Sequence, residues 1–222
     1  MLACAALWLL VARPGVADAA LWRLERYQPL PTLTQRVFER RLLAHHMDQD
    51  RLVPKGATLF FGDSHIQTLP VGGIAQAYNF AIGGETAERL AKRLGRYRSL
   101  PDARAVVVGT GTNDLLEGRT REQLASAWEA ILGRLPASAL VVCVGLPQND
   151  AHPVRGPAHA ASNDLILALC RDRGHPTIDV VPGTGGFERA AFAPDGLHLN
   201  ADGSLQLLRT IEKTLMEGKS RG

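Results

Sequence analysis

Short apolar runs alternate with longer stretches of helical spacing from Ala57 to the C-terminus, and this alternation constrains the fold more than any other feature. Because right-handed crossovers place helices on both sides of a parallel sheet, the pattern predicts an α/β protein built as a three-layer α/β/α sandwich with a five-stranded parallel sheet. The predicted strands are residues 58–61, 78–82, 105–109, 140–145 and 177–181. Helices are predicted over residues 85–97, 121–135, 157–173 and 201–216.

The length and composition fit one domain of this kind. A chain of 222 residues can bury a sizeable core. The formal net charge of +3 is a small excess of Lys and Arg, and 5% of the residues are aromatic, so the composition does not indicate a nucleic-acid surface. We therefore expect a small-molecule or acyl-bearing substrate and no nucleic-acid partner.

Residues 1–20 resemble an export signal or an N-terminal anchor. Residues 2–12 are almost wholly apolar, and Ala17-Asp18-Ala19 has the small-residue pattern of a signal-peptidase site, which predicts a periplasmic or membrane-anchored protein. No Lys or Arg precedes the apolar run, and Arg13 interrupts the region after it. The run is also shorter than the ~20 residues that span a bilayer. An uncleaved anchor and an ordinary N-terminal helix of a cytoplasmic protein are therefore the alternatives.

A helical extension is predicted over residues 21–55, before the main domain at residues 56–222. Pro29 and Pro31 divide this extension into two helices. His45 and His46 stand side by side in the second helix. Adjacent side chains on a helix diverge by about 100 degrees, so the pair is poorly placed to chelate one metal. We interpret both histidines as part of a solvated helix face.

The three cysteines are Cys4, Cys143 and Cys170, and none belongs to a Cys-x-x-Cys pair. Cys143 lies in an apolar strand-like run and Cys170 in an apolar helical run, which is typical of buried thiols. A disulfide between these two is the alternative in an oxidising compartment, since sequence spacing does not establish proximity.

The first predicted strand ends at Gly62-Asp63-Ser64-His65, and Ser64 is a candidate nucleophile. Loops that leave the carboxyl ends of parallel strands are where α/β proteins place their chemistry. Gly, Asp and Ser are also ordinary turn residues, so a turn that caps the next helix is the alternative. Partners elsewhere in the chain decide between the two interpretations.

Two further strand ends carry candidate hydrogen-bond donors. The second strand leads into Gly83-Gly84-Glu85-Thr86, where glycine lets a backbone N–H approach a ligand. The third leads into Gly111-Thr112-Asn113, where the side-chain amide is a donor. The Gly84 N–H and the Asn113 amide are the types of group that stabilise a developing oxyanion. Ordinary turns at both positions are the alternative.

Asp195 and His198 stand three residues apart in a Gly-containing turn before the last predicted helix. In such a turn the carboxylate can hold the imidazole Nδ1–H while Nε2 faces outward, which is the orienting half of a serine triad. A turn-capping aspartate beside a buried structural histidine is the alternative.

Together these four segments resemble the SGNH, or GDSL-type, hydrolase superfamily. Residues 79–86 and 106–113 are similar to the branch that contains the platelet-activating-factor acetylhydrolases. The resemblance covers the chain from about Ala57 to the C-terminus and implies a flavodoxin-like sheet. It implies a triad of Ser64, His198 and Asp195 and oxyanion donors at Ser64, Gly84 and Asn113.

The same resemblance implies a serine esterase that hydrolyses short-chain acyl esters, on a small-molecule, glycan or lipid substrate, without a metal or cofactor. An O-acyltransferase using the same triad and a catalytically silent binding module are the alternatives. His65 stands where the name-giving motif has Leu, and we interpret it as a neighbour packing on the site. The loop over residues 146–159 either rims the site or is a solvated surface loop; its polar side chains are Gln148, His152, Arg155 and His159.

Overall fold

The structure, a computed structural model, describes residues 33–147, 157–180, 187, 191–193, 195 and 197–219. The chain divides into two compact units, Met1–Arg40 and Arg41–Gly222, and the second contains the whole sheet. Helix α1 is Leu33–Asp50. Among the described residues, none of the helices has the length and apolarity needed to span a bilayer. The predicted signal at residues 1–20 lies outside the described residues.

Five parallel strands form one sheet in the order β2-β1-β3-β4-β5. This is the flavodoxin-like order, and it confirms the predicted α/β fold. The strands are β1 (Thr58–Gly62), β2 (Ala77–Asn79), β3 (Ala105–Gly109), β4 (Leu140–Val144) and β5 (Thr177–Ile178).

Within the described residues six α-helices follow α1, and side chains fix where two of them begin. Thr86 accepts a hydrogen bond from the Arg89 N–H, so the helix predicted from residue 85 begins at residue 87. Thr120 and Gln123 form a reciprocal capping box at the start of another. The helices are α2 (Ser64–Gln67), α3 (Ala87–Leu94), α4 (Thr112–Leu116), α5 (Arg121–Leu132), α6 (Pro157–Arg171) and α7 (Ala201–Lys219).

The core lies in two layers, one on each face of the sheet. Successive side chains of a strand point to opposite faces, and every residue of β1 is buried. Leu59 and Phe61 belong to a core cluster with residues of α3, α5 and α6. Phe60 belongs to a second cluster with Leu207 and Ile211 of α7. The predicted three-layer sandwich is therefore confirmed.

Strands β1 and β3 end at the same level, because their pairing runs in register from Thr58 with Ala105 to Gly62 with Gly109. Gly62 has a φ of +153°, and a Cβ at this position would lie 2.0 Å from the Gly109 carbonyl oxygen. Only glycine fits so close an approach between two backbones. The loops after these two strands therefore leave the sheet side by side.

Strand β2 is shorter than predicted and ends at Asn79. The side chain of Asn79 donates to the Ile66 carbonyl at 2.8 Å and accepts from the Ala81 N–H at 3.1 Å. The backbone still donates to β1 at Phe80 and Ile82. These side-chain bonds replace regular strand geometry with a turn that lies against helix α2.

His46 differs from its predicted environment. His45 is exposed, but His46 is buried, with its ring edge-on to Phe80 at 5.3 Å between centroids and its Nδ1 3.4 Å from the Tyr97 hydroxyl. Burial, followed by the charges of Arg93 and His45, lowers the pKa of His46 to about 4. The interpretation as a solvated face is therefore wrong for His46, because α1 turns this side chain into the core.

Cys143 and Cys170 are fully buried, as predicted, and they form a disulfide with a Cα–Cα distance of 6.5 Å. Cys143 lies in β4 and Cys170 in α6, so the bond joins the sheet to one of its covering helices. Of the two states left open by the sequence, the structure contains the disulfide. Cys4 lies outside the described residues.

Candidate active site

Ser64 is presented by a sharp turn at the carboxyl end of β1. The strand ends at Gly62, and Asp63 caps α2 by accepting the His65 N–H at 3.0 Å, so Ser64 becomes the first residue of that helix. The backbone N–H of a first helical residue has no partner within the helix. Among the described residues, no hydrogen-bond acceptor faces the Ser64 N–H.

Asp63 is a buried carboxyl group beside this turn. Burial raises the pKa of Asp63 to about 7, and the neighbouring carboxyl groups of Asp114 and Glu85 act in the same direction. The backbone N–H groups of His65 and Thr112 oppose that rise. The residue therefore supports the turn as a cap, while Ser64 faces the site.

His198 and Asp195, near the C-terminal end of the domain, lie beside Ser64 in the structure. The Ser64 Oγ lies 2.9 Å from Nε2 of His198, and Nδ1 of His198 lies 2.7 Å from Oδ2 of Asp195. The contact between Ser64 and His198 therefore joins residues that are 134 positions apart in the sequence. In a serine triad an aspartate orients a histidine, and the histidine contacts a serine hydroxyl. Asp195, His198 and Ser64 are hydrogen-bonded in this order.

Asp195 also folds the turn that contains His198. Its Oδ1 accepts the N–H groups of Leu197 at 2.9 Å and His198 at 3.0 Å, while Oδ2 contacts the imidazole. Partial burial pushes the pKa of Asp195 upward, but the hydrogen bonds from His198 and the two N–H groups outweigh it and hold the pKa below its usual value. One carboxylate therefore caps the turn and orients the ring.

A short antiparallel bridge holds this turn against the core. Phe192 bridges Leu199, and the Ala193 N–H donates to the His198 carbonyl at 2.8 Å. Phe192 and Leu199 are both buried. Packing of these two side chains fixes the segment on which His198 stands, immediately before α7.

The glycine segment after β2 forms a tight turn beside Ser64. The Glu85 N–H donates to the Ile82 carbonyl at 3.2 Å, and Gly84 has a φ of +79°, as the third position of a type II turn requires. A Cβ on Gly83 would lie 3.6 Å from the Ser64 Cβ, so the turn touches the serine. Among the described residues the Gly84 N–H meets no acceptor.

Asn113 joins the loop after β3 to this turn. It is the second residue of α4, and its Nδ2 donates to the Glu85 carbonyl oxygen at 3.1 Å. That bond uses one of two amide protons, and the second has no acceptor within the described part of the chain. The neighbouring Asp114 accepts the Ala87 N–H at 2.8 Å, which ties the same two segments together once more.

His65 packs against the histidine that contacts Ser64. Its ring lies 5.4 Å from the His198 ring between centroids, and the side chain is 3% exposed. This agrees with the interpretation of His65 as a packing neighbour. The imidazole ring in place of Leu packs against the ring of His198.

The loop at residues 146–159 lies partly outside the described residues, which include none of Gln148, His152 and Arg155. His159 is described, and it is fully buried at the start of α6. The prediction that His159 belongs to the rim or to a solvated loop is therefore wrong, because helix α6 places this side chain inside the protein.

Sequence reasoning missed the residues that hold the glycine turn. Gln67 accepts the Gly83 N–H at 2.9 Å through Oε1, and Asn79 fastens the end of β2 to the Ile66 carbonyl. Gln67 stands three residues after Ser64, on the same helical face, and this spacing is a signal that could have identified it. A buried ion pair between Glu85 and Arg93 was also missed. Two opposite charges in a helical pattern do not reveal burial.

The fold and the site define a class of protein: a parallel α/β domain with a Ser, His and Asp hydrogen-bonded in series at the carboxyl edge of its sheet. The model of the GDSL-like Lipase/Acylhydrolase family matches residues 60–205. The chain therefore belongs to this family of ester-hydrolysing enzymes, the SGNH or GDSL hydrolases, and the resemblance predicted from its sequence is confirmed. No curated protein sequence matches the chain.

Solved structures with low sequence identity share the fold. A candidate platelet activating factor from Streptococcus pneumonia is 18% identical over 89% of this chain and 99% of its own, with a TM-score of 0.71. A lipase/acylhydrolase from Enterococcus faecalis is 20% identical over 74% and 96%, with a TM-score of 0.61. A single-residue mutant of Axe2, an acetyl-xylooligosaccharide esterase from Geobacillus Stearmophilus, is 15% identical over 72% and 94%, with a TM-score of 0.60.

Proposed function

We propose that the protein is a serine esterase that hydrolyses short-chain acyl esters through Ser64, His198 and Asp195. The observation that carries this proposal is the continuous chain of contacts from the Ser64 Oγ to His198 Nε2 at 2.9 Å and from His198 Nδ1 to Asp195 Oδ2 at 2.7 Å. A serine hydroxyl is a weak nucleophile until a base accepts its proton. These contacts support the proposal, because they give the Ser64 hydroxyl a neighbouring base and give that base a neighbouring carboxylate.

The reaction proceeds in two acyl transfers. His198 Nε2 accepts the Ser64 proton as Oγ attacks the ester carbonyl carbon, and the resulting tetrahedral intermediate expels the alcohol, which takes the proton from His198. Water then loses a proton to His198 and attacks the acyl-enzyme. The carboxylic acid leaves, and the proton returns to Ser64. Asp195 holds the imidazole in the required tautomer and stabilises its charged form.

Three donors stabilise the negative oxygen of each tetrahedral intermediate. They are the backbone N–H groups of Ser64 and Gly84 and the second amide proton of Asn113. The support for this assignment is that all three protons lack an acceptor among the described residues, while the turn with Gly84 contacts Ser64 and Asn113 bonds to Glu85. Donors aimed at an oxyanion before the reaction starts need no reorganisation when charge develops.

The proposed substrate carries a short acyl group. The glycine turn lies close to the nucleophile, since a Cβ on Gly83 would lie 3.6 Å from the Ser64 Cβ and 2.7 Å from the Gln67 Oε1. Such close packing beside the nucleophile favours a small acyl group such as acetyl. The structural similarity to an acetyl-xylooligosaccharide esterase makes acetylated sugars a reasonable substrate class to test beside simple esters.

A panel of p-nitrophenyl esters with acyl chains of increasing length, together with acetylated xylo-oligosaccharides, tests this proposal. We expect kcat/KM to be highest for acetyl and to fall as the chain lengthens, and the Ser64→Ala variant to lose turnover on every ester. Product analysis in the presence of a sugar acceptor distinguishes hydrolysis from acyl transfer. Rising kcat/KM with long chains, or an acylated acceptor as the main product, would contradict the proposal.

A further inference from the structure

A buried ion pair stands directly behind the glycine turn. Arg93 contacts the Glu85 carboxylate through two bonds, Nε to Oε1 at 2.6 Å and Nη2 to Oε2 at 2.7 Å. The side chains of both residues are 5% exposed. A bidentate guanidinium–carboxylate pair fixes the orientation as well as the separation of its partners.

The same guanidinium reaches the other end of the turn. Nη2 of Arg93 donates to the Phe80 carbonyl at 2.8 Å, so a single side chain contacts residues at both ends of the segment 80–85. Nη1 contacts the Tyr97 hydroxyl, which lies 3.4 Å from Nδ1 of His46. Because Arg93 belongs to α3 and Tyr97 follows shortly after it, the turn is fastened to that helix.

Glu85 connects this ion pair to the proposed oxyanion donors. It follows Gly84 directly in the chain, and its carbonyl oxygen accepts the Asn113 amide at 3.1 Å. A displacement of the backbone around Glu85 would therefore move both the Gly84 N–H and the carbonyl that holds the Asn113 amide. The opposite side of the turn is held by Gln67 through the Gly83 N–H.

We propose that Arg93 is a positioning residue for the oxyanion hole: by clamping Glu85 and the Phe80 carbonyl, it fixes the Gly84 N–H and the Asn113 amide in the geometry that receives the oxyanion. This inference rests on the proposed function. Arg93 itself does not contact the substrate. Its effect reaches the reaction through the backbone of the segment 80–85.

A contribution to stability alone is the competing explanation, and general energetics do not favour it. Removing two charges from water costs free energy that their attraction often only balances, so a buried ion pair is a weak reason for stability. A bidentate ion pair fixes the orientation of its two side chains, which two apolar side chains in contact would not do. An oxyanion hole needs such orientation, because small displacements of its donors cost large factors in rate.

The test measures kcat and KM for p-nitrophenyl acetate in Arg93→Lys, Asn113→Ala and the double variant, each normalised to the fraction of protein that a fluorophosphonate labels. We expect Arg93→Lys to lower kcat about tenfold with little change in KM, because lysine keeps the charge but lacks the fork. In the Asn113→Ala background the same change should lower kcat only about threefold, since one of the donors it positions is already absent.

Asp50→Asn is the matched control. Asp50 is also buried, and it accepts the Arg98 N–H at 2.7 Å and the Ser99 N–H at 3.2 Å, away from the glycine turn. We expect this variant to have a lower Tm and an unchanged kcat. If Arg93→Lys behaves in the same way while Asn113→Ala loses activity, the inference is overturned. An equal factor in both backgrounds would overturn it too.

A paired variant covers the case in which Arg93→Lys does not fold. Glu85→Leu with Arg93→Met removes both charges and leaves no unpaired ion in the core. We expect it to fold and to show a kcat lowered about tenfold, because the clamp of Arg93 on Glu85 and on the Phe80 carbonyl is then absent, while the Gln67 contact to Gly83 remains. A wild-type kcat in this variant would overturn the inference. Full activity in both Ser64→Ala and Asn113→Ala would instead overturn the proposed function on which it rests.

Discussion

A serine hydroxyl becomes an effective nucleophile only when a neighbouring base accepts its proton. In the proposed mechanism the acceptor of the Ser64 proton is Nε2 of His198, which lies 2.9 Å from the Ser64 Oγ, and Oδ2 of Asp195 lies 2.7 Å from Nδ1 of the same ring. Asp195 also fixes the backbone of the turn that contains His198, because its other carboxylate oxygen, Oδ1, accepts the N–H groups of Leu197 and His198.

Replacement of Asn113 tests the proposed oxyanion hole. We expect Asn113→Ala to lower kcat by about a hundredfold or more, with a smaller change in KM, because an oxyanion donor acts mainly in the transition state. Steady-state kinetics with p-nitrophenyl acetate measure both constants. An unchanged kcat in folded Asn113→Ala protein would show that this amide does not contact the developing charge.

His46 gives the stability of the protein a predictable dependence on pH. The pKa of His46 is about 4 in the folded protein and about 6.5 in the unfolded chain. Between pH 4 and 6.5, therefore, His46 binds a proton in the unfolded chain and not in the folded protein. Stability therefore rises with pH from about 4 to 6.5 and is then level with respect to this group, with a slope of up to ~1.4 kcal/mol per pH unit.

Urea unfolding at several pH values measures this contribution. The difference in unfolding free energy between the wild type and His46→Asn should grow in favour of the wild type as pH rises through this window. His45→Asn is the comparison variant, since His45 is the exposed neighbour on the same helix, and the corresponding difference should change much less, because only the small effect of the His45 charge on the His46 pKa is removed. A flat difference for His46→Asn would show that His46 does not titrate as its burial requires.

The strands and helices were largely predictable, because each carries its own periodic signal. The alternation of apolar runs and helical patterns identified all five strands, and the sheet order followed the expected topology. The ends were less predictable. Strand β2 ends early because the Asn79 side chain bonds to α2 and to the backbone of its own turn. Such contacts depend on tertiary neighbours that a local pattern does not contain.

Helix α7 contains a glycine that local propensity does not explain. Ala is favoured over Gly inside a helix by about 1 kcal/mol. A Cβ at Gly203, however, would lie 2.1 Å from the Ala191 carbonyl oxygen, which also accepts the Asn200 N–H. Glycine therefore allows α7 to approach the segment that leads to His198.

We expect Gly203→Ala to lower Tm and also kcat, because the segment from Ala191 to His198 must move away from the new methyl group. Differential scanning fluorimetry and kinetics with p-nitrophenyl acetate measure the two effects. Gly73→Ala is the control, since a Cβ there meets nothing within 4 Å, and it should behave as the wild type. A stabilised Gly203→Ala protein with normal kcat would mean that propensity outweighs the clash.

The disulfide between Cys143 and Cys170 constrains the whole domain, because it joins the central sheet to helix α6. Disulfides persist mainly in oxidising compartments, which fits the export predicted from residues 1–20. That export stays a prediction. The pairing itself could not be predicted, since it depends on a distance that only the packing of α6 on β4 sets.

Removal of this bond should lower the global stability. We expect the Cys143→Ala, Cys170→Ala variant to lose about 3 kcal/mol of unfolding free energy, as for a closed loop of intermediate length. Urea unfolding with and without a reductant measures it. Reductant should destabilise the wild type and leave the double variant unchanged. Equal stability of the wild type in both conditions would contradict a structural role for the bond.

The candidate site as a whole was predictable as a set of residues, and its geometry was not. Ser64, Gly84, Asn113, Asp195 and His198 stood out because each follows or precedes a regular element at the same edge of the sheet. The supporting contacts of Gln67, Asn79 and Arg93 arise only when three separate segments pack together. Sequence periodicity reports burial and exposure of single elements, and it does not report which neighbours they meet.

The central claim is that Ser64 is the nucleophile and that His198 activates it. Labelling with a fluorophosphonate, followed by mass spectrometry of the modified peptide, tests this claim most directly. We expect one phosphonyl group on Ser64 in the wild type and a labelling rate reduced by several orders of magnitude in His198→Ala. Absence of label in folded wild-type protein, label on another residue, or an unchanged rate in His198→Ala would contradict the account.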